Sequence, residues 1–278
     1  MIRHVGWRSS WVLCMLGLVA VFAHTAPGAA HDRADRTIRF QPDAAYAHRS
    51  VRMVEMGLGP KSYSIFLPAE PTPEARVPLV VFLHGWMGVN PAFYGAWIEH
   101  LCRKGSIVVF PRYQSDFGTP PAEFLPNTIT AVRDAIDTLA TAEHFSRPDL
   151  ERVAFIGHSA GGNLAAQLAA SAAGAGLPRP KAVVAVMPGE VEHQEEPRLS
   201  ELPAEVLLLV MVGDRDWIVG DQRAREIYLE TSRIRPENKE YLHACSARNL
   251  RDGYCHGDLT VTLAGGRCGD ERAARALG

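Results

Sequence analysis

The segment that most constrains the fold of this chain runs from residue 153 to residue 173. A short apolar run at 153–156 leads into the pattern G-x-S-x-G at 157–161, and an alanine-rich stretch follows. This order predicts a strand, a sharp turn and a helix. Ser159 lies at the turn, where close backbone approaches favour glycine on either side. The turn would lift the serine hydroxyl above a sheet edge, beside the first N–H groups of the helix.

The chain on both sides of this segment alternates short apolar runs with helical stretches. Runs of Val, Leu and Ile indicate strands covered on both faces, which is typical of a parallel sheet. An antiparallel hairpin is expected at 51–56 and 62–67, after a loose polar lead-in at 31–50. Beyond it we predict strands at 79–83, 106–110, 152–156, 181–186 and 206–212, and helices at 92–104, 127–143, 160–173 and 220–232. The predicted fold class is α/β, a mostly parallel sheet with helices on both faces.

Two further segments stand at the ends of predicted strands. The strand at 79–83 ends in HGWMG at 84–88, and the strand at 206–212 is followed by GDRDWIV at 213–219. Together with the serine turn, these segments resemble the α/β-hydrolase superfamily, whose lipases and esterases carry an H-G-x-x-G loop. The resemblance extends from about residue 51 to about residue 241. It implies an α/β-hydrolase fold and a serine enzyme that hydrolyses carboxylic esters.

The resemblance also implies roles for individual residues. Ser159 would be the nucleophile, and the backbone N–H groups of Trp86 and Ala160 would form the oxyanion hole. The acid should follow the strand at 206–212, where Asp214 and Asp216 are both candidates. We favour Asp216, because the family pattern places an apolar residue two positions after the acid, as Ile218 is here.

The general base should be a histidine downstream of the acid, because this fold presents its triad in the order serine, acid, histidine. His243 and His256 are the candidates. His243 follows Glu240, Tyr241 and Leu242, and is expected inside or just after a last strand at that point. His256 lies between Gly253 and Gly257, in a loop that could bend over the strand ends. We therefore favour His256 and keep His243 as the alternative.

The exact substrate is left open by these motifs. No large inserted cap interrupts them, which favours an open site for an ester with a small or medium acyl chain. A lipase, an esterase or a serine peptidase would share every motif. The tail from about residue 245 has little periodicity. If that tail does not supply the base, the protein would be a catalytically impaired, hydrolase-like binding protein, which is the second hypothesis.

The amino terminus has the pattern of a secretory signal peptide. Arg3 and Arg8 precede an apolar run at 11–23, and small residues follow up to Ala30. A membrane-spanning helix needs about 20 apolar residues, so this run is too short to anchor the chain. We predict cleavage after Ala30 and export to the periplasm or the medium. Residues 31–278 would then be a single domain.

Charge and cysteine content limit the possible partners. A net charge of −2 creates no strong field for nucleic acid or an anionic membrane, so a small-molecule ester is the expected partner. The sequence does not indicate an oligomeric state. The His and Cys spacing in the tail lacks the paired short intervals of a zinc site, so no metal or other cofactor is expected. In an exported chain the cysteines outside the signal could pair with one another. They are Cys102, Cys245, Cys255 and Cys268.

Overall fold

The computed structural model describes residues 35–40, 43–191 and 197–244, which form one nine-stranded sheet with helices on both faces. The strands are β1 (Asp35–Arg39), β2 (Ser50–Met56), β3 (Tyr63–Ala69), β4 (Val77–Leu83), β5 (Ile107–Pro111), β6 (Pro148–His158), β7 (Ala182–Val186), β8 (Leu207–Gly213) and β9 (Lys239–Ala244). Their spatial order is β1-β2-β3-β5-β4-β6-β7-β8-β9. Pairing is antiparallel from β1 to β5 and parallel from β5 to β9.

Four α-helices cover the sheet within the described ranges. They are α1 (Gly95–Arg103), α2 (Phe124–Thr141), α3 (Ala160–Ser171) and α4 (Gln222–Glu230). Side chains of β4 alternate between two apolar clusters: Val81 faces α2, α3 and α4, whereas Phe82 faces α1. This two-residue alternation is the normal consequence of strand geometry. Burial of each such side chain stabilises the fold by about 1.5–3 kcal/mol.

The predicted elements are found in the predicted order, with ends shifted by a few residues. The hairpin is confirmed, because β2 and β3 pair antiparallel with Val54 opposite Ile65. The prediction of a loose lead-in is wrong for residues 35–39, which form β1 at the sheet edge. All five side chains of β1 are exposed, so this strand has no alternating pattern to detect. Backbone pairing with β2 and an ion pair of 2.6 Å between Arg52 and Asp35 hold it in place.

Several predictions concern residues outside the described ranges: the signal segment 1–30, the tail from residue 245 with His256, and three of the cysteines. Cys102 is described, and its side chain is completely buried in the apolar cluster beneath α1. Within the described part of the chain, no helix is both long and apolar enough to cross a bilayer.

Candidate active site

The serine turn lies between β6 and α3 and has a strained backbone. Ser159 has φ 57° and ψ −126°, a region that a non-glycine residue enters at a cost of about 1–3 kcal/mol. Its backbone is held on both sides: the N–H donates to the Val186 carbonyl at 3.0 Å, and the carbonyl accepts from Gly162 N–H at 2.8 Å. The side chain stands at the carboxyl end of a central parallel strand, where ligands of open α/β sheets bind.

The two glycines of the G-x-S-x-G pattern are required by close backbone contacts. A Cβ atom on Gly157 would lie 2.0 Å from the carbonyl oxygen of Gly161. A Cβ atom on Gly161 would lie 2.2 Å from the carbonyl oxygen of Leu83, at the end of β4. Because backbone atoms cannot yield as a flexible side chain can, Gly157 is required for the close approach of β6 to α3, and Gly161 for that of α3 to β4.

The loop after β4 passes directly beside the serine. A Cβ atom on Gly85 would lie 3.1 Å from the Cβ of Ser159, so the two residues are in contact range. Two hydrogen bonds shape this loop: Gly88 N–H donates to the Gly85 carbonyl at 2.8 Å, and Met87 N–H donates to Gln114 Oε1 at 2.9 Å. Trp86 N–H, between these bonds, has no acceptor among the described residues.

Ala160 N–H likewise has no acceptor in the described ranges, because it is the first residue of α3 and the helix supplies none there. Trp86 directly follows Gly85 and Ala160 directly follows Ser159, so these two backbone donors belong to residues next to a pair in contact range. The indole of Trp86 is half-buried against the core, with its ring centroid 5.6 Å from that of Phe124. Packing is therefore a role that this side chain has in the structure.

His84 is a buried structural group of the loop. Its ring stacks on Tyr113 at a centroid distance of 4.1 Å, and its two nitrogens lie 2.7 Å from the Gly85 carbonyl and 2.8 Å from the Arg112 carbonyl. Burial lowers its pKa to about 4, so the ring is neutral near pH 7. The other histidine of the motifs, His158, lies 3.1 Å from the Tyr94 hydroxyl through Nδ1.

The two candidate acids differ sharply in their surroundings. Asp216 is only 7% exposed, and its Oδ1 accepts from the N–H groups of Ile218 at 3.0 Å and Val219 at 3.1 Å. Asp214 is exposed, and its backbone N–H donates to the Ala244 carbonyl at 3.0 Å. Both follow β8, which lies two strands from β6. At about 4.8 Å per strand, the ends of β6 and β8 are about 10 Å apart.

Of the two candidate bases, His243 and His256, only His243 lies among the described residues. His243 lies within β9, paired with Val212 of β8, and its side chain is exposed. Three strand spacings, about 14 Å, separate β9 from β6, so the sheet holds His243 away from Ser159. His256 lies outside the described residues. β9 ends at Ala244, at the carboxyl ends of the parallel strands, where Ser159 and Asp216 also lie.

Sequence reasoning missed three residues that support the site. Tyr94 Oη accepts from Gly85 N–H at 2.7 Å, Gln114 holds Met87, and Arg223 Nε donates to Asn163 Oδ1 at 2.8 Å between α4 and α3. None belongs to a recognisable motif. The only available signal was position, because each lies on a segment that follows a predicted parallel strand.

A separate cavity of about 670 Å³ lies at the other edge of the sheet, near the end of α1. Its buried cation already has protein partners, since Arg103 donates to the His48 carbonyl at 3.2 Å and to Glu99 at 2.7 Å. The cavity is therefore not part of the candidate active site. No cluster of three or more His, Cys, Asp or Glu side chains suited to a metal ion occurs among the described residues.

Comparison with known proteins identifies the fold family of the chain. The family described as alpha/beta hydrolase fold matches residues 80–228, more than half of the chain, and the chain belongs to that family. A solved structure from work on two esterases of the fungus Rhizomucor miehei is similar, with a TM-score of 0.56 at 14% identity. That match covers 88% of this chain and 81% of the fungal one, and at this identity it shows the fold alone. No curated protein matches the chain.

Proposed function

We propose that the protein is an exported serine hydrolase that cleaves carboxylic esters through an acyl-enzyme on Ser159. One observation carries the proposal: Ser159 lies on a strained turn in contact range of Gly85, the residue before Trp86, and Ala160 begins α3 directly after the serine. Backbone donors arranged in this way stabilise the oxyanion of a tetrahedral intermediate. Membership of the alpha/beta-hydrolase family supports the same chemistry.

In the proposed reaction, Ser159 Oγ attacks the ester carbonyl while the base takes the hydroxyl proton. The carbonyl oxygen gains negative charge and accepts hydrogen bonds from the Trp86 and Ala160 N–H groups. The C–O bond to the alcohol then breaks, and the alcohol leaves with the proton from the base. Water, deprotonated by the same base, attacks the acyl-enzyme and releases the carboxylic acid and free Ser159.

We assign the base to His256 and the orienting acid to Asp216. The gap of about 10 Å between the ends of β6 and β8 suits an imidazole that bonds the serine on one side and the carboxylate on the other. Asp216 is the better acid because it is buried and held by two backbone N–H groups, whereas Asp214 is exposed. A carboxylate held in this way can fix the imidazole tautomer.

A fluorophosphonate probe tests the proposed function directly. An activated serine forms a covalent adduct with the probe, whereas an idle serine does not. We expect one adduct on the wild-type protein, located by peptide mass spectrometry on Ser159, and none on Ser159→Ala. An unlabelled wild-type protein that retains its fold would overturn the proposal and favour the impaired binding protein instead.

Export is the second part of the proposal, and the amino-terminal pattern supports it. Arg3, Arg8 and the apolar run at 11–23 precede small residues that end at Ala30. The mature protein should therefore begin at His31. Amino-terminal sequencing of the protein from periplasm and medium would test this, and a soluble form that keeps Met1 would contradict it.

A further inference from the structure

Gly189 is in direct contact with the serine turn. It follows β7, the strand that lies between β6 and β8. Its backbone N–H donates to the carbonyl oxygen of Ser159 at 3.0 Å. A Cβ atom at this position would lie 3.7 Å from the carbonyl carbon of Ser159. Gly189 therefore packs directly against the backbone of the serine turn.

Gly189 also lies against the turn that carries Asp216. A Cβ atom on Gly189 would lie 2.7 Å from Val219 Cγ1 and 3.6 Å from Val219 Cβ. Carbon atoms in favourable contact are about 3.5–4.0 Å apart, so the first distance leaves no room for a methyl group. Val219 in turn donates its backbone N–H to Asp216 Oδ1 at 3.1 Å.

We propose that Gly189 and Val219 are positioning residues, whose direct contact sets the distance between the serine turn and the carboxylate of Asp216. The contacts form an unbroken series from Ser159 through Gly189 and Val219 to Asp216. This inference rests on the proposed function, because it assigns Asp216 the role of orienting acid. It adds a reason why position 189 has to be glycine although its φ is not in the left-handed region.

A side chain at position 189 would act on the acid turn through Val219. Valine has two methyl groups on Cβ, which restrict χ1, so its side chain cannot easily rotate away from a neighbouring atom. The added methyl group would therefore push the Val219 backbone outward, together with the N–H that bonds Asp216. A displaced carboxylate orients the imidazole less well and stabilises its protonated form less.

The test is a compensating pair of substitutions, Gly189→Ala and Val219→Ala, assayed singly and together on p-nitrophenyl acetate. A misplacement of the order of 1 Å costs up to about 100-fold in rate, so Gly189→Ala should lower kcat by about 10- to 100-fold with KM nearly unchanged. Because a displaced carboxylate stabilises the protonated imidazole less, the acidic limb of the kcat/KM profile of Gly189→Ala should lie at lower pH than that of wild type. Val219→Ala removes the obstructing methyl groups and keeps the backbone N–H. The double variant should therefore recover to within about threefold of Val219→Ala alone.

Gly174→Ala is the matched control, because a Cβ atom there would meet only the Ser171 carbonyl, at 3.7 Å. It should keep wild-type kcat. Wild-type activity from Gly189→Ala, or a double variant as impaired as Gly189→Ala, would overturn the proposal. Wild type and Ser159→Ala are assayed beside these variants to separate the two proposals. If wild type itself neither turns over substrate nor binds the fluorophosphonate, the proposed function fails and the positioning role fails with it.

Discussion

The side-chain oxygen of Tyr94 accepts a hydrogen bond from the backbone N–H of Gly85 at 2.7 Å. The same hydroxyl lies 3.1 Å from His158 Nδ1, directly before the serine turn. Tyr94 is buried among Phe82 and Phe110, so water cannot easily replace its hydroxyl. One hydroxyl thus joins the loop after β4 to the residue that precedes Ser159.

We expect Tyr94→Phe to lower both stability and kcat. The substitution leaves Gly85 N–H buried without an acceptor, which costs about 1–3 kcal/mol in the free energy of unfolding. The position of Trp86 N–H, one residue further on, should become less well defined. Tyr46→Phe is the matched control, since Tyr46 lies 3.0 Å from His100 on α1 and outside the candidate site. Urea unfolding and ester hydrolysis measure both effects, and equal losses of kcat in the two variants would contradict the prediction.

Ser159→Ala should lower kcat for p-nitrophenyl acetate by at least about 1,000-fold, because removal of a triad nucleophile typically costs several orders of magnitude. The fold should persist, since the turn is held by backbone hydrogen bonds to Val186, Gly162 and Gly189. Ser146→Ala is a suitable control, because the Ser146 hydroxyl is buried without a partner among the described residues. Turnover by Ser159→Ala within tenfold of wild type would remove Ser159 as the nucleophile.

Asp216→Asn should be far more damaging than Asp214→Asn. Asparagine keeps the shape of the side chain but lacks its charge and favours the wrong imidazole tautomer, an effect of up to about 10,000-fold in kcat. Asp214 is exposed and contributes a backbone bond to Ala244 that the substitution preserves, so we expect a change of less than about twofold. Similar small losses in both variants would exclude Asp216 from the triad.

His256→Ala should lose about 1,000-fold or more in kcat at every pH, whereas His243→Ala should stay within about threefold of wild type. The contrast follows from β9, which holds His243 opposite Val212 and about 14 Å from β6. Wild-type activity should fall as the pH is lowered, because a protonated imidazole cannot accept the serine proton. The reverse order of damage would transfer the role of base to His243.

Stability should decrease in mild acid because of His84. Burial lowers its pKa from 6.5 to about 4, so the unfolded chain takes up the proton first. The stability linked to neutral His84 is fully present above about pH 6.5 and is lost as the pH falls towards 4. Between pH 8 and pH 5 the free energy of unfolding should fall by about 2 kcal/mol for this reason. Urea unfolding of wild type and His84→Gln at both pH values measures it. Glutamine does not titrate, so an equal decrease in both proteins would show that other groups are responsible.

The sequence predicted the strands from β2 to β8 and the segments that follow the parallel strands among them. Apolar runs such as Leu79–Leu83 predict buried strands, and the G-x-S-x-G pattern needs only local geometry at Ser159. The choice between Asp214 and Asp216 rested on a family pattern, and the difference in burial became visible only in three dimensions. β1 was not predicted, because all its side chains are exposed and backbone pairing with β2 holds it in place.

Tyr94, Gln114 and Gly189 could not be predicted for a different reason. Each acts through one contact with a separate loop: Tyr94 with Gly85, Gln114 with Met87, and Gly189 with Val219. Such contacts depend on how loops from different strands meet, and hydrophobic periodicity does not record that. The close fit at Gly189 arises only because the turn with Val219 meets it in three dimensions.

The position of β7 between β6 and β8 has a consequence for folding. Ser159 and Asp216 are 57 residues apart in the sequence. They come near each other, at the carboxyl ends of the parallel strands, only after β6, β7 and β8 have paired in register. Long-range parallel pairing is slow compared with helix formation. During refolding from urea, the helical circular dichroism signal should therefore return before esterase activity does. Regain of turnover would then mark the pairing of β6, β7 and β8, so the proposed hydrolysis would itself report this step of folding.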